Sequence, residues 1–198
     1  MIKPLLIKYF HRRHLLLTAI AFTFAIALMT SASASESDIP SVTVKQINNE
    51  IYVTTYLKPS ARFKEEMSSG ISKDITFYID LFKVWNVWPD EFIRGKKITK
   101  ALKSDPIKRE YVAVSMEGSV HIEKRFKDPE SMLEWAFNIN DIRLTNIREL
   151  ETGIYFVKVT AESRIRKLPP VIGQMLFFIP EKEFNVYKES THFHIGQR

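Results

Sequence analysis

One segment in the middle of the chain combines two indoles with two carboxylates. It contains Trp85, Trp88, Asp90 and Glu91, with Pro89 among them. Aromatic faces stack on sugars or anchor protein partners, and adjacent carboxylates accept hydrogen bonds from hydroxyl or ammonium groups. In a competing structural interpretation, one or both indoles close the end of the core and the proline sets a turn. We expect Trp85 to be the more buried indole, because it continues the preceding strand.

A second candidate is the pair His192 and His194 near the end of the chain. Two residues apart on a strand, both imidazoles would face the same way and could bind Zn²⁺ or Cu²⁺. A useful site needs a third ligand, and only His121 or scattered carboxylates could supply it. We therefore favour two solvated side chains opposite the inward-facing Phe193 and Ile195. We expect no metal and no cofactor, with His192 and His194 as the only metal candidates.

Side chains that could act in catalysis do not form a recognisable set. Asp80 lies in the middle of a strand pattern, where a carboxyl group could have a raised pKa. Alternation places it on the same face as Thr76, which favours solvent exposure. Ser115, Ser119 and Ser163 lie outside any Gly-x-Ser-x-Gly context. The absence of cysteine excludes thiol catalysis. We therefore expect a protein that is not an enzyme.

Short alternating segments must position these residues. Two of them flank Asn48-Asn49 and two flank Glu117-Gly118, which predicts two β-hairpins. Further strands are predicted at 75–81, 98–102, 142–147, 155–162 and 184–195, and short helices at 60–69 and after Asp128-Pro129. An apolar run at 171–179 predicts a buried strand or turn of helix, or else a membrane-dipping or partner-docking segment.

These elements predict a mainly β fold with about eight strands and two short helices. Crossover helices between successive strands are missing, so a parallel α/β fold is excluded. The pattern fits an antiparallel β-sandwich or a half-open barrel, and both remain open. About 160 residues follow the N-terminal segment, which suits one domain, at residues 42–198, with a substantial core.

The N-terminal 34 residues predict export from the cytoplasm. A basic start without acidic residues precedes an apolar run at 15–29, and small residues follow with Ala32-x-Ala34 as the cleavage site. Residues 15–34 could instead remain as an uncleaved signal anchor in the inner membrane, because the apolar run is only slightly shorter than a spanning helix. Polar residues 35–41 predict a flexible leader. Both interpretations place the domain in the periplasm.

The signal also accounts for most of the positive charge. The chain has 29 basic and 23 acidic residues, a formal net charge of +6. Four basic residues and no acidic ones precede Ser35, so the domain retains 25 basic and 23 acidic residues. This near neutrality excludes the electrostatic surface typical of nucleic-acid binding.

Several motifs recur in an order that resembles a known family. They are Phe63, Met67-Ser-Ser-Gly70-Ile71, Ile75-x-Phe77-Tyr78-Ile79-x-Leu81, Trp85, Trp88-Pro89-Asp90, Arg109-Glu110-Tyr111, Gly153-Ile154-Tyr155, Leu168-Pro169 and the aromatic last strand. This order resembles the exported proteobacterial family known as domain of unknown function 4390. The resemblance implies an envelope protein without an assigned activity, transfers no catalytic residues, and implies a sensory or regulatory partner in the membrane.

Two functions follow from these observations as hypotheses. The first is a non-enzymatic periplasmic domain that binds a protein partner, such as a membrane sensor or an assembly component. The second is a small-ligand or glycan-binding module that uses Trp85, Trp88, Asp90 and Glu91. In both cases the membrane is contacted only through the N-terminal segment.

Overall fold

The computed structural model describes residues 36–105, 107–165 and 182–196, and strands dominate these ranges. The elements in chain order are β1 (Val42–Ile47), β2 (Glu50–Tyr56), α1 (Ala61–Ser68), β3 (Lys73–Lys83), β4 (Glu91–Asp105), β5 (Glu110–Glu117), β6 (Val120–Phe126), α2 (Pro129–Phe137), β7 (Asn138–Asn146), a 3₁₀ turn (Ile147–Glu149), β8 (Gly153–Ile165), β9 (Lys182–Glu189) and β10 (Phe193–Ile195). The prediction of a mainly β fold with two short helices is confirmed, although the described residues form ten strands.

The strands form two antiparallel sheets. The small sheet has the order β1-β2-β7, and the large sheet has the order β10-β8-β3-β4-β5-β6. β10 pairs with the first residues of β8, and β9 pairs with residues further along the same strand. Neither sheet closes on itself, so the arrangement is sandwich-like and not a closed barrel.

Turn chemistry explains both predicted hairpins. Asn48 and Asn49 adopt φ angles of 51° and 65°, and Ile47 pairs with Glu50 across them. Positive φ at both central residues is what a tight two-residue hairpin requires, and asparagine tolerates it. Gly118 has a φ of 55° in the hairpin that joins β5 to β6.

The core lies between the inward faces of the two sheets. Alternate residues of β3 are fully buried from Ile75 to Leu81, and the last three of them pair in register with Ala161, Val159 and Val157 of β8. Side chains from the small sheet and from both helices join the same cluster. The other face of β3 carries Thr76, Tyr78, Asp80 and Phe82, as period-two alternation requires.

Both helices begin at the predicted caps. The hydroxyl of Ser60 accepts a hydrogen bond from the amide of Phe63 at 3.1 Å, and the carboxylate of Asp128 accepts one from Ser131 at 2.8 Å. Phe63 of α1 contacts Phe137 of α2 with ring centroids 5.3 Å apart. The helices therefore bring two aromatic rings into the core.

β4 is much longer than the predicted strand at 98–102. It runs from Glu91 to Asp105 and pairs with β3 from Glu91 to Leu102. Its first half contains Arg94, Lys96 and Lys97, which hide the alternation from sequence inspection. This strand is extended by its pairing with β3, a buried neighbour, and no local sequence pattern reveals such pairing.

The predicted final strand at 184–195 is wrong as a single element, because it divides at Ser190. The Ser190 hydroxyl accepts a hydrogen bond from the Val157 amide at 3.0 Å and donates one to the Thr191 carbonyl at 2.9 Å. The Val157 amide therefore bonds to a side-chain hydroxyl, where a regular strand would offer it a backbone carbonyl. β10 resumes the pairing with β8 after this break.

The N-terminal residues of the described domain also differ from the expected flexible leader. Ile39 is fully buried, and Asp38 exchanges two backbone hydrogen bonds with Lys58. The predicted signal or anchor, and the apolar run at 171–179, lie outside the described residues. Within the part of the chain that is described, no helix has both the length and the hydrophobicity needed to cross a membrane.

Candidate functional site

The loop between β3 and β4 presents the predicted tryptophan segment at one end of the large sheet. The indole Nε1 of Trp85 donates to Glu91 Oε2 at 3.1 Å, and the Trp85 backbone amide donates to Asp90 Oδ1 at 3.4 Å. The ammonium of Lys83 lies 4.6 Å from the centre of the Trp85 ring. The two predicted carboxylates thus hold the first indole in place.

Trp85 is the more buried of the two indoles, as expected, but it is not a core residue, since 43% of it is exposed. β3 ends at Lys83, so Trp85 leaves the sheet and its ring lies over the Lys83 side chain. Trp88 is 75% exposed and Val87 86% exposed at the tip of the loop. Neither indole is a core residue, which removes the structural interpretation of this segment.

A row of aromatic rings crosses the outward face of the large sheet beside this loop. Phe82 of β3 contacts Phe92 of β4 with centroids 5.8 Å apart, and it stacks on Phe156 of β8 at 5.3 Å. The imidazole of His192 lies 5.5 Å beyond Phe156. We call Phe92, Phe82, Phe156 and His192 the aromatic row.

Exposed apolar side chains concentrate at this end of the sheet. Among the described residues, twelve large hydrophobic side chains are exposed, and five of them lie here: Trp85, Val87, Trp88, Phe92 and Ile154. We call these five residues the aromatic end. Large exposed apolar patches are typical of interaction surfaces, whereas single exposed apolar residues need no explanation.

Asp80 lies directly beside the aromatic row on the same face of β3. It pairs with Gly95 of β4 and Lys158 of β8. Burial raises the pKa of the Asp80 carboxyl group, and the positive charge of Lys158 opposes this effect. The predicted face is therefore correct, but the side chain is half-buried and is not fully solvated.

The two histidines occupy different structural settings. His192 precedes β10 and contacts Phe156, while His194 lies within β10 and pairs with Ile154. Both are exposed, and Ile195 between the sheets is buried. Residues 36–105, 107–165 and 182–196 contain no group of three or more histidine, cysteine or acidic side chains arranged to hold a metal ion.

The aromatic row was not predicted from the sequence. Phe82 and Phe156 both occupy outward positions of alternating strands, which is a visible but weak signal. Their contact depends on the register between β3 and β8, where the two residues are direct partners. Register between strands so distant along the chain is not readable from one sequence.

The negatively charged groups of the loop carry no ion pair within the described part of the chain. Asp90 and Glu91 are exposed and bind only Trp85 among the contacts of this loop. Further along the sheet end, Glu151 pairs with Lys83 at 2.5 Å and Glu149 pairs with Arg94 at 2.9 Å. An apolar surface with acidic groups at its rim results.

Comparisons with known proteins identify the family of this chain. Neither the comparison with curated proteins nor the comparison with solved structures gives a match. The comparison with protein families matches residues 34–191, which include every strand from β1 to β9. The chain therefore belongs to the family described as Domain of unknown function (DUF4390).

Proposed function

We propose that this chain is a non-enzymatic domain of the bacterial cell envelope that binds another protein through the aromatic end. The order of basic, apolar and small residues over positions 1–34 supports export. The partner then lies in the periplasm or at the inner membrane, where a membrane sensor or an assembly component would meet this domain.

The observation that carries this proposal is the clustering of exposed apolar side chains around Trp88. Tryptophan is enriched among the residues that contribute most to binding energy at protein interfaces. The loop tip projects Trp88 and Val87, while Phe82 and Phe156 form a firm base within the sheet. Because these strands belong to a rigid sheet, the surface is formed before any partner arrives, which reduces the entropic cost of binding.

The acidic rim specifies the chemistry of the partner surface. Asp90 and Glu91 stand beside the apolar centre without a cation of their own among the described residues. A partner with an apolar patch and flanking lysine or arginine residues would complement both the apolar centre and the acidic rim. Charges at the rim would mainly guide the approach and the register of the complex.

The glycan-binding alternative has less support from the loop. A sugar needs open aromatic faces together with polar groups that are free to bind its hydroxyls. Here Glu91 and Asp90 already bind Trp85, and the Lys83 ammonium lies over the Trp85 ring. These contacts leave Trp88 as the open indole of the loop, which suits insertion into a partner pocket.

Affinity capture from solubilised envelopes tests the proposal quantitatively. Three baits are compared: the wild-type chain, Trp88→Ala, and Ile107→Ala as the matched control. Ile107 is also highly exposed but precedes β5 and is not part of the aromatic end. We expect a partner that the wild type and Ile107→Ala recover equally and Trp88→Ala recovers at least about tenfold less, as for a central interface tryptophan. Equal recovery by all three baits would refute the proposal.

A further inference from the structure

Three lysines are buried in the part of the chain that the structure describes, and one of them differs from the others. Lys73 pairs with Glu66 at 2.5 Å and with Glu183 at 2.6 Å. Lys83 pairs with Glu151 at 2.5 Å. Lys100, which is only 5% exposed, has no carboxylate partner among the described residues.

Backbone carbonyl groups take two of the three protons of Lys100. Its ammonium donates to the Trp135 carbonyl at 2.9 Å and to the Asn138 carbonyl at 2.8 Å. Both carbonyls lie at the end of α2, where lysine ammonium groups commonly bind the last turn. An ammonium group has three donors, so one proton has no acceptor in the described structure.

A buried positive charge without a counter-charge is costly, and the titration of Lys100 reflects this cost. Burial lowers its pKa to about 8, and the nearby charge of Lys124 acts in the same direction. The helix end thus accounts for part of the environment of Lys100, but it supplies no carboxylate as a full counter-charge.

Lys100 lines a cleft of about 540 Å³ between the inward face of the large sheet, α2 and β7. This volume lies in the range of small-molecule sites. Polar and apolar residues both line the wall, and the apolar ones include Ile98, Ile122, Ile142 and Trp135. The Trp135 ring lies 4.7 Å from the Lys100 ammonium and 5.3 Å from that of Lys124.

The geometry points to a site for a small amphipathic organic acid. We infer that the carboxylate of such a ligand accepts the third proton of Lys100, while its apolar part lies against Trp135 and the isoleucines. The ligand supplies the counter-charge that Glu66 and Glu151 supply to the other buried lysines. This cleft opens on the inward face of β4, opposite to the face that carries the aromatic row, so the inference is independent of the protein-binding proposal.

Other charged groups border the cleft, and any test must distinguish their effects from that of Lys100. They are Lys96 on β4, Glu117 on β5, Lys124 on β6 and Glu134 on α2. Lys96 and Glu117 pair with each other. The residues that β7 contributes to the cleft are uncharged. A comparison of Lys100→Met with the wild type assigns any pH dependence to Lys100 itself.

Fluorescence of Trp135 provides the direct test. The chain has three tryptophans, so Trp85→Phe with Trp88→Phe leaves Trp135 as the only indole. Octanoate and octanamide are titrated at pH 7, since they share one chain and differ in charge. We expect octanoate to bind at least about tenfold more tightly, as for a charge-assisted hydrogen bond in a buried site. Equal affinities, or no change with either compound, would overturn the inference.

Two further arms separate binding from folding. Lys100→Met should remove the preference for octanoate, while Lys83→Met, another buried lysine, should retain it. In the chain that keeps Lys100 and has Trp135 as its only indole, the octanoate affinity should fall by about tenfold per pH unit above pH 8, and the octanamide affinity should stay constant. The pH arm requires no variant at position 100, so misfolding of Lys100→Met cannot conceal the answer. A constant preference for octanoate up to pH 10 would contradict the assignment.

Discussion

Asp80 and Gly95 face each other across the β3–β4 pair beside the aromatic row. A Cβ atom added to Gly95 would lie 2.2 Å from Asp80 Oδ1 and 3.3 Å from the ring of Phe92. The backbone of Gly95 is not in the left-handed region, so space alone accounts for the glycine. The carboxyl group lies over the glycine, and this contact contributes to its burial.

Gly95→Ala should therefore destabilise the domain by about 1–3 kcal/mol, because the added methyl group overpacks this position. In an Asp80→Ala background the same change should cost much less, since the clashing carboxyl group is gone. Urea unfolding of the two single variants and the double variant measures the coupling. An equal cost in both backgrounds would show that Asp80 does not impose the glycine.

The raised pKa of Asp80 predicts a pH-dependent effect with a defined sign. Burial favours the neutral carboxyl group in the fold, so its contribution to stability is present below the unfolded pKa and is lost as pH rises through the folded pKa. Asp80→Asn should raise the urea midpoint at pH 7, and the gain should disappear near pH 3. A lower midpoint at pH 7 would mean that Lys158 stabilises the carboxylate more than burial penalises it.

At the scale of elements, local chemistry decided which parts of the fold were predictable. The Asn48-Asn49 turn and the caps at Ser60 and Asp128 depend on neighbouring residues, and all three were predicted. The length of β4 and the break at Ser190 depend on pairing with distant strands, and both were missed. The periodicity of a segment shows which of its residues are buried. Its contacts with distant strands depend on the register of their pairing, which the sequence of one strand does not contain.

The break at Ser190 is itself testable. Ser190→Ala removes the hydroxyl that accepts from the buried Val157 amide at 3.0 Å. An unsatisfied buried donor costs about 1–3 kcal/mol. We expect a loss of that size in the free energy of unfolding from denaturant titration. Thr191→Ala is the control, because Thr191 is exposed and its carbonyl remains. Equal losses for the two variants would contradict a specific role for the Ser190 hydroxyl.

The candidate site was only partly predictable for the same reason. Trp85, Trp88, Asp90 and Glu91 were selected from composition alone, and they share one loop. The aromatic row that supports this loop comes from three strands and was not visible before their pairing was known. Trp85 is the more buried indole, as predicted, but it does not reach the core because β3 ends two residues before it.

At the scale of the whole molecule, the N-terminal residues join the proposed export signal to the folded domain. Ile39 is fully buried, the Ser37 hydroxyl accepts from the Ser60 amide at 3.1 Å, and the Ser41 carbonyl accepts from Thr55 at 2.7 Å. Cleavage after Ala34, as proposed for export, would leave all these residues on the domain. We predict that mass spectrometry of the envelope protein finds Ser35 as the first residue.

A chain that begins at Val42 should be less stable than one that begins at Ser35. Burial of a single isoleucine contributes about 1.5–3 kcal/mol, and the Asp38–Lys58 pairing is lost as well. Denaturant titration of both chains measures the difference. Equal stability would restore the interpretation of residues 35–41 as a flexible leader.

The central claim is that the aromatic end contacts a protein partner in the envelope. The most direct measurement is photo-crosslinking in living cells, with a photoreactive phenylalanine analogue at position 88 or, as the control, at position 107. Both side chains are highly exposed, and they lie in the connections before and after β4. We predict a discrete crosslinked protein from position 88, absent from position 107 and reduced by Phe92→Ala. No adduct from position 88, or the same adduct from both positions, would contradict the claim.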